Sequence, residues 1–336
     1  MTKRTIVALC GALALVACKG PDDTETDTDT DTDTNTGCTI TASDAIPADG
    51  ATNVYYRTTL EWTFSDADTS AAVTLATGGT DVPGSGEWFD NTYVWTPSAA
   101  LDPSTTYDVN LSFCDGANSV DSSFTTSVVG TSVPEADITG AAYSLDLASG
   151  RFVQPAGVGA LLQQQLTVEI LIGIASISGT DLTLQGALAE DGSNPPVQDL
   201  CTESIDFPVA DFSDNPFFEV GPQTTTLSVQ GLEITIDDLF VSGAFAPDGS
   251  SISGAVLAGS IDTRPLVDLI EPGGDDDAVC LLVQTFGIAC EPCTGGGDFC
   301  LSLLVDSIQA TEIAGLTVVN RTADDIANDP VCTPVP

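Results

Sequence analysis

Apolar and polar side chains alternate one for one through much of this chain. A period of two admits strands and denies a helix the apolar stripe it needs for packing. Leu60, Trp62 and Phe64 alternate with Glu61 and Thr63, and Tyr107, Val109, Leu111 and Phe113 alternate with Asp108, Asn110 and Ser112. Farther along, Leu166, Val168, Ile170, Ile172 and Ile174 make one row, and Leu182, Leu184 and Leu188 a second. Leu227 and Val229, then Leu232, Ile234 and Ile236, then Ile252 and Val256 continue the pattern. Glu169, Thr183, Gln185, Ser228, Glu233, Thr235 and Asp237 mostly fill the other face. Sheets dry on one side and wet on the other follow, so the fold class is mainly β.

The 336 residues suffice for about two domains with cores of their own. From Cys38 to Ser127 turns fall at Pro47-Ala48-Asp49-Gly50, Gly78-Gly79, Pro83-Gly84-Ser85-Gly86, Asp90-Asn91 and Asp115-Gly116. That spacing suits a sandwich of about seven strands. Trp62, Trp88 and Trp95 supply its apolar mass. Residues 128–134 read as a linker and 135–336 as a β-rich antiparallel domain, a sandwich, barrel or clam with two short helices. The first helix takes Thr263 as cap, Pro265 in its first turn and Leu266, Leu269 and Ile270 on one face, and stops at Pro272-Gly273-Gly274. The second opens at Asp275-Asp276-Asp277 and aligns Val279, Leu282, Val283 and Phe286 at helical spacing. Both apolar faces need cover, which places the helices across an open end or face of the sheet. Gly157 to Gln165 is a further helical candidate.

Composition narrows function by subtraction. The chain has no histidine, which removes Ser-His-Asp and Cys-His pairs and imidazole bases. Its 49 acids against 7 bases leave a net charge of −42 that repels nucleic acid. At the N-terminus Lys3 and Arg4 precede an apolar run from Ile6 to Val16, too short to span a bilayer and suited to a signal peptide, residues 1–17. Leu15-Val16-Ala17-Cys18 resembles the lipobox of bacterial lipoproteins. That resemblance implies cleavage before Cys18, acylation of Cys18 and, with Lys19 rather than Asp next, an outer-membrane destination. Residues 18–37 then form a stalk, mostly a Thr-Asp repeat from Lys19 to Gly37 that carries seven acids and no apolar side chain (Asp22, Asp23, Glu25, Asp27, Asp29, Asp31, Asp33). Such a segment stays extended and solvated. Its alternating Asp supplies part of a calcium loop's ligand set, but the glycine turn and terminal Glu of an EF-hand are missing.

The first folded block carries a family resemblance. Ile46-Pro47-Ala48-Asp49-Gly50-Ala51-Thr52-Asn53-Val54, Leu60-Glu61-Trp62-Thr63-Phe64-Ser65, Trp95-Thr96-Pro97, Leu101-Asp102-Pro103-Ser104-Thr105-Thr106-Tyr107 and Phe124-Thr125-Thr126 resemble, in order and spacing, the bacterial Ig-like domain of S-layer and surface proteins. The resemblance implies a β-sandwich that acts as a spacer or adhesive module. Cys38 and Cys114 depart from the family pattern and read as a disulfide pinning the first strand to a late one. The block from 135 onward resembles nothing whose function carries over.

Of ten cysteines, Cys10 leaves with the leader and Cys18 is acylated, leaving eight. An even number in an exported chain reads as four disulfides. Beyond Cys38 and Cys114 these are Cys201, Cys280, Cys290, Cys293, Cys300 and Cys332, whose pairing stays open except that Cys293 with Cys300 would close a local loop around Gly295-Gly296-Gly297. Cys290-Glu291-Pro292-Cys293 also has the spacing of a redox pair or half a zinc site, but no His, second CxxC or flanking base supports either. Asp275-Asp276-Asp277, with Asp237 or Asp238, is a calcium candidate whose simpler reading is acids at a helix start. No carboxylate pair is singled out for glycoside hydrolysis.

The expected function is non-enzymatic, with no metal or cofactor required. It is a cell-envelope lipoprotein, on the surface or the periplasmic face, whose Ig-like spacer displays a β-rich domain to an unknown protein, glycan or lipid. The alternative is a carrier or sensor of a hydrophobic ligand, with the Ile, Leu and Val rows lining a cavity rather than filling a core.

Overall fold

The computed structural model describes residues 38–155, 169–229, 232–267 and 273–332, of which those from Thr39 onward belong to one compact unit. The leader, Cys18, the stalk, the helical candidate at 157–165, Leu166, Val168, Leu269, Ile270 and the turn at Gln230-Gly231 lie outside the described residues.

The first block is a two-sheet sandwich. One sheet runs β1 (Ala42–Ile46), β3 (Leu60–Phe64), β7 (Thr92–Pro97), β6 (Gly84–Phe89). The other runs β2 (Ala51–Val54), β9 (Asn118–Thr126), β8 (Thr106–Phe113), β4 (Ala72–Thr77), β5 (Thr80–Val82), with β2 and β9 parallel. Gly78 and Gly79, both at positive φ, turn β4 back into the short β5. Alternation does what the sequence requires: Leu60, Trp62 and Phe64 bury against Leu111, Phe113 and Phe124. Phe64 meets Trp88 and Phe113 edge-on, with ring centroids 5.0 and 5.4 Å apart, a preferred aromatic geometry.

The second block begins with a short helix, α1 (Glu135–Ile138), and wraps a sheet onto itself. Its wall is β10 (Ala142–Asp146), β12 (Ile170–Ser178), β13 (Asp181–Leu188), β15 (Ala210–Asp211), β16 (Phe217–Val229), β17 (Leu232–Phe245), β18 (Ser251–Asp262) and β19 (Cys300–Glu312), each antiparallel to the next. β10 pairs with β12 on one side and β19 on the other, so Tyr143 stands opposite both Ile172 and Glu312. The ring is therefore closed, an eight-stranded barrel rather than a sandwich or clam. β11 (Arg151–Gln154) pairs with β19 on the same edge as β10, nearer the start of β19, and β14 (Ile205–Asp206) pairs with β13. Closure needs bends, and the register slips where Asp238, Gly254 and Ser307 take positive φ, as bulges do at barrel corners.

These bulges correct one expectation. Period two carried from Ile252 would bring Val256 inside, but the slip at Gly254 instead places Ala255 and Leu257 in the barrel core. The helices differ as well. Thr263 stands at the N-cap position with Pro265 in the first turn, but its hydroxyl donates to the Phe299 carbonyl at 2.6 Å instead of capping, and the turn that follows, Arg264–Leu266, is 3-10. The second helix, α2 (Ala278–Gln284), buries Val279 alone and leaves Leu282 and Phe286 exposed, so its apolar face is largely uncovered. The third helix, α3 (Ala323–Asn328), is started by a capping box between Thr322 and Asp325.

The two blocks meet through scarce cations. Arg57, from the loop after β2, ion-pairs with Asp214 and lies 4.0 Å over the Phe217 ring. Arg151 reaches Glu61 of β3 at 2.7 and 2.9 Å and Asp306 of β19 at 2.7 Å. Val129 and Val133 of the connecting segment are buried, and the Asn215 side chain accepts from the Val133 N–H and donates to its carbonyl. Hydrogen bonding from Arg151 holds the Glu61 carboxyl below its usual range. A lowered carboxylate stabilises the fold above its unfolded pKa and loses that contribution as pH falls through the folded value. Arg151→Gln is therefore expected to cost about 1 kcal/mol at neutral pH, small because Arg151 is 41% exposed and screened by water. In urea unfolding across pH, its deficit against the parent chain should shrink below a pH of roughly 4.

Candidate ligand-binding cavity

Side-chain size divides the barrel interior into a filled end and a hollow one. At the filled end Tyr143, Phe212 and Phe218 pack around Phe245 with ring centroids 5.2 to 5.9 Å away. Ile138 of α1 lies in the same buried core. The Tyr143 hydroxyl donates to the Gly249 carbonyl at 2.7 Å, so its polar end is satisfied. Toward the other end the interior residues become aliphatic and stop filling the bore.

A cavity of about 220 Å³ remains there. Its fourteen lining residues are all Leu, Ile, Val or Phe. The deep tier is buried and includes Ile172, Ile236, Leu239, Val241 and Leu257. The outer tier is half-buried and includes Ile170, Phe207, Ile234, Ile261 and Leu303. These outer residues stand where β12, β17 and β19 begin and β18 ends, which puts the mouth at one end of the barrel. Water would find no hydrogen-bond partner in such a lining, so the space stays dry. The lining offers no nucleophile, acid or base. It can hold an apolar group and exclude water.

α2 sits beside the end of β18, with the Cys280 sulfur 3.5 Å from the Thr263 hydroxyl. Cys280 is bonded to Cys290, and Cys293 to Cys300 at the start of β19, closing the loop that holds Gly295-Gly296-Gly297. Cys290 and Cys293 thus each have a partner other than the other. Cys201–Cys332 ties the loop after β13 to the C-terminal segment 131 residues away. Cys38 and Cys114 are also disulfide-bonded. Asp275, Asp276 and Asp277 precede α2 without capping it, and Asp237 accepts a hydrogen bond from Thr224 at 3.0 Å. Among the described residues no group of three or more Cys, Asp or Glu side chains is arranged to hold a metal ion.

Of the lining, Ile170, Ile172, Leu188, Ile234 and Ile236 stand on rows legible in the sequence. Leu239, Val241, Leu257 and Ile261 do not, because each follows a bulge that inverts the phase. The available signals are the Asp237-Asp238 pair, which breaks alternation, and the isolated Gly254 within a strand pattern.

Closed antiparallel barrels with an apolar bore define the class to which this second block belongs. Residues 34–126 match the family described as bacterial Ig-like domain, in agreement with the sandwich topology. No curated protein matches the chain. Among solved structures it is similar to L,D-transpeptidase 1 of Mycobacterium tuberculosis, at 16% identity and TM-score 0.22, over 59% of this chain and 74% of that one. An L,D-transpeptidase of Mycobacterium smegmatis gives 14% and 0.23, over 60% and 75%. Likenesses at these scores carry no argument about activity. Disulfides and an Ig-like domain of this type mark an extracytoplasmic chain, and no described helix is long and apolar enough to cross a membrane.

Filling the void checks its existence directly. Val241→Phe adds ring volume in the deep tier and is expected to raise unfolding stability of the ligand-free protein by about 1 kcal/mol. In a solid core the same change would overpack and destabilise, a difference that thermal melting resolves.

Proposed function

We propose that this chain is a lipid-anchored, non-enzymatic binding protein of the cell envelope. In this reading Cys18 carries the anchor, the Asp/Thr stalk and Ig-like sandwich act as a spacer, and the barrel holds a hydrophobic ligand in its cavity. The outer membrane is the destination that the lipobox and Lys19 suggest. The observation that carries the binding role is the wholly aliphatic and aromatic cavity in a barrel whose other end is packed solid. A purely structural barrel gains nothing from leaving one half hollow, since the same strands could fill it with the phenylalanines already used at the far end. Absence of histidine from the sequence, and of any lysine after Lys19, favours binding over catalysis.

The test uses the full chain purified in mild detergent and then freed of it. N-phenyl-1-naphthylamine, a neutral apolar fluorophore, is expected to bind with one-to-one stoichiometry and a blue-shifted emission, and Val241→Phe to abolish the signal while the protein stays folded. Native mass spectrometry of the chain drawn from its own membranes should show co-purifying lipid. No fluorophore binding and no adduct would leave the barrel a structural element. Anchoring is checked separately: palmitate label should enter the parent chain and be absent from Cys18→Ala.

A further inference from the structure

The cavity itself cannot read a headgroup, because no polar side chain lines it. Discrimination must come from the rim, where a bound amphiphile's head would stand. There the outer tier has an acidic neighbour at almost every strand. Asp146 lies between the lining residues Leu145 and Leu147, Glu169 precedes Ile170, Asp206 lies between Ile205 and Phe207, and Glu233 precedes Ile234. All four are exposed. Alternation turns their side chains outward from the bore, to the outside of the mouth. Asp262, after Ile261, is a fifth acid, and the one cation beside the mouth among the described residues, Arg264, is spent on it in an ion pair. Arg321, near Ser204, is likewise tied to Asp329.

We propose that the cavity takes the hydrocarbon tail of a single-chain amphiphile whose headgroup carries no net negative charge, and that the acidic rim excludes fatty acids and other anionic lipids. This rests on the cavity reading above. The cavity, about 220 Å³, falls below the usual range of roughly 300 to 1,000 Å³ for pockets that enclose a whole drug-sized ligand, so it has room for the end of one tail and not for two. Tail burial supplies affinity in proportion to apolar area removed from water. The rim then sets selectivity, because several like charges within about a Debye length of a carboxylate or phosphate head repel it when the ionic strength is low.

The experiment compares three amphiphiles of one chain length, below their micelle concentrations, as displacers of N-phenyl-1-naphthylamine from the full chain. They are dodecyltrimethylammonium, dodecyl maltoside and dodecanoate. The first two are expected to displace the fluorophore and dodecanoate to do so roughly tenfold less well at low ionic strength. The gap should narrow at about 0.5 M salt and in the fourfold variant Asp146→Asn, Glu169→Gln, Asp206→Asn, Glu233→Gln. Direct calorimetric titration of dodecyltrimethylammonium, which needs no fluorophore, should show binding to the parent chain and none to Val241→Phe, which separates cavity binding from cation adhesion to an acidic surface. Dodecanoate equal to or tighter than the maltoside overturns the proposal while leaving the cavity reading intact. A fluorophore that never binds the parent chain sinks the cavity reading itself.

Discussion

The barrel depends on one short strand finding two partners. β10 has five residues, yet its backbone pairs with β12 through Ala142 to Leu145 and with β19 through Tyr143 to Asp146. Without the second pairing, β10 would be an edge, β19 would be covered only where β11 reaches it, and the apolar face would lie open to water. With it, every wall strand has a neighbour on each side, and the interior rows converge on one axis. The same closure ties residues 142–146 to residues 309–312, the first wall strand to the last. Tyr143 secures the joint from inside by bonding the Gly249 carbonyl.

Charge is organised by scarcity. Every arginine among the described residues has a carboxylate partner: Arg57 with Asp214, Arg151 with Glu61 and Asp306, Arg264 with Asp262, and Arg321 with Asp329. Two of the four join the Ig-like sandwich to the barrel, so the few cations act where a chain of like charge would otherwise push its own parts apart. The charges left unpaired among the described residues are carboxylates, which is why the barrel rim has a sign at all. Burial is less tidy at this junction. The Tyr55 hydroxyl is buried without a hydrogen-bond partner, and burial pushes its phenol well above the usual range.

Much of the architecture is legible from periodicity, and the departures share a cause. Leu60, Trp62 and Phe64, or Ile172 and Ile174, follow period two without interruption, and they face inward as that period requires. Val256 does not, because a bulge costs the sequence only one residue and reverses every side chain after it. Leu239 and Val241 escape the pattern for the same reason beyond Asp238. The helices depart from expectation where tertiary bonds override local signals: the Thr263 hydroxyl goes to Phe299 rather than to its own helix, and the apolar side of α2 is not drawn under cover.

Local chemistry in the sequence determined the strand content, the sandwich of the first block, the acidic character and the exclusion of histidine-based catalysis, because each rests on residue types and short spacings. It could not choose among sandwich, barrel and clam, nor between a filled core and a cavity. Those outcomes turn on contacts between residues over a hundred positions apart, and on whether side chains from eight strands sum to the volume of the bore. Only the closed ring brings Leu145, Ile236 and Leu303 to one space, and only there does the choice of aliphatic rather than aromatic residues leave that space empty.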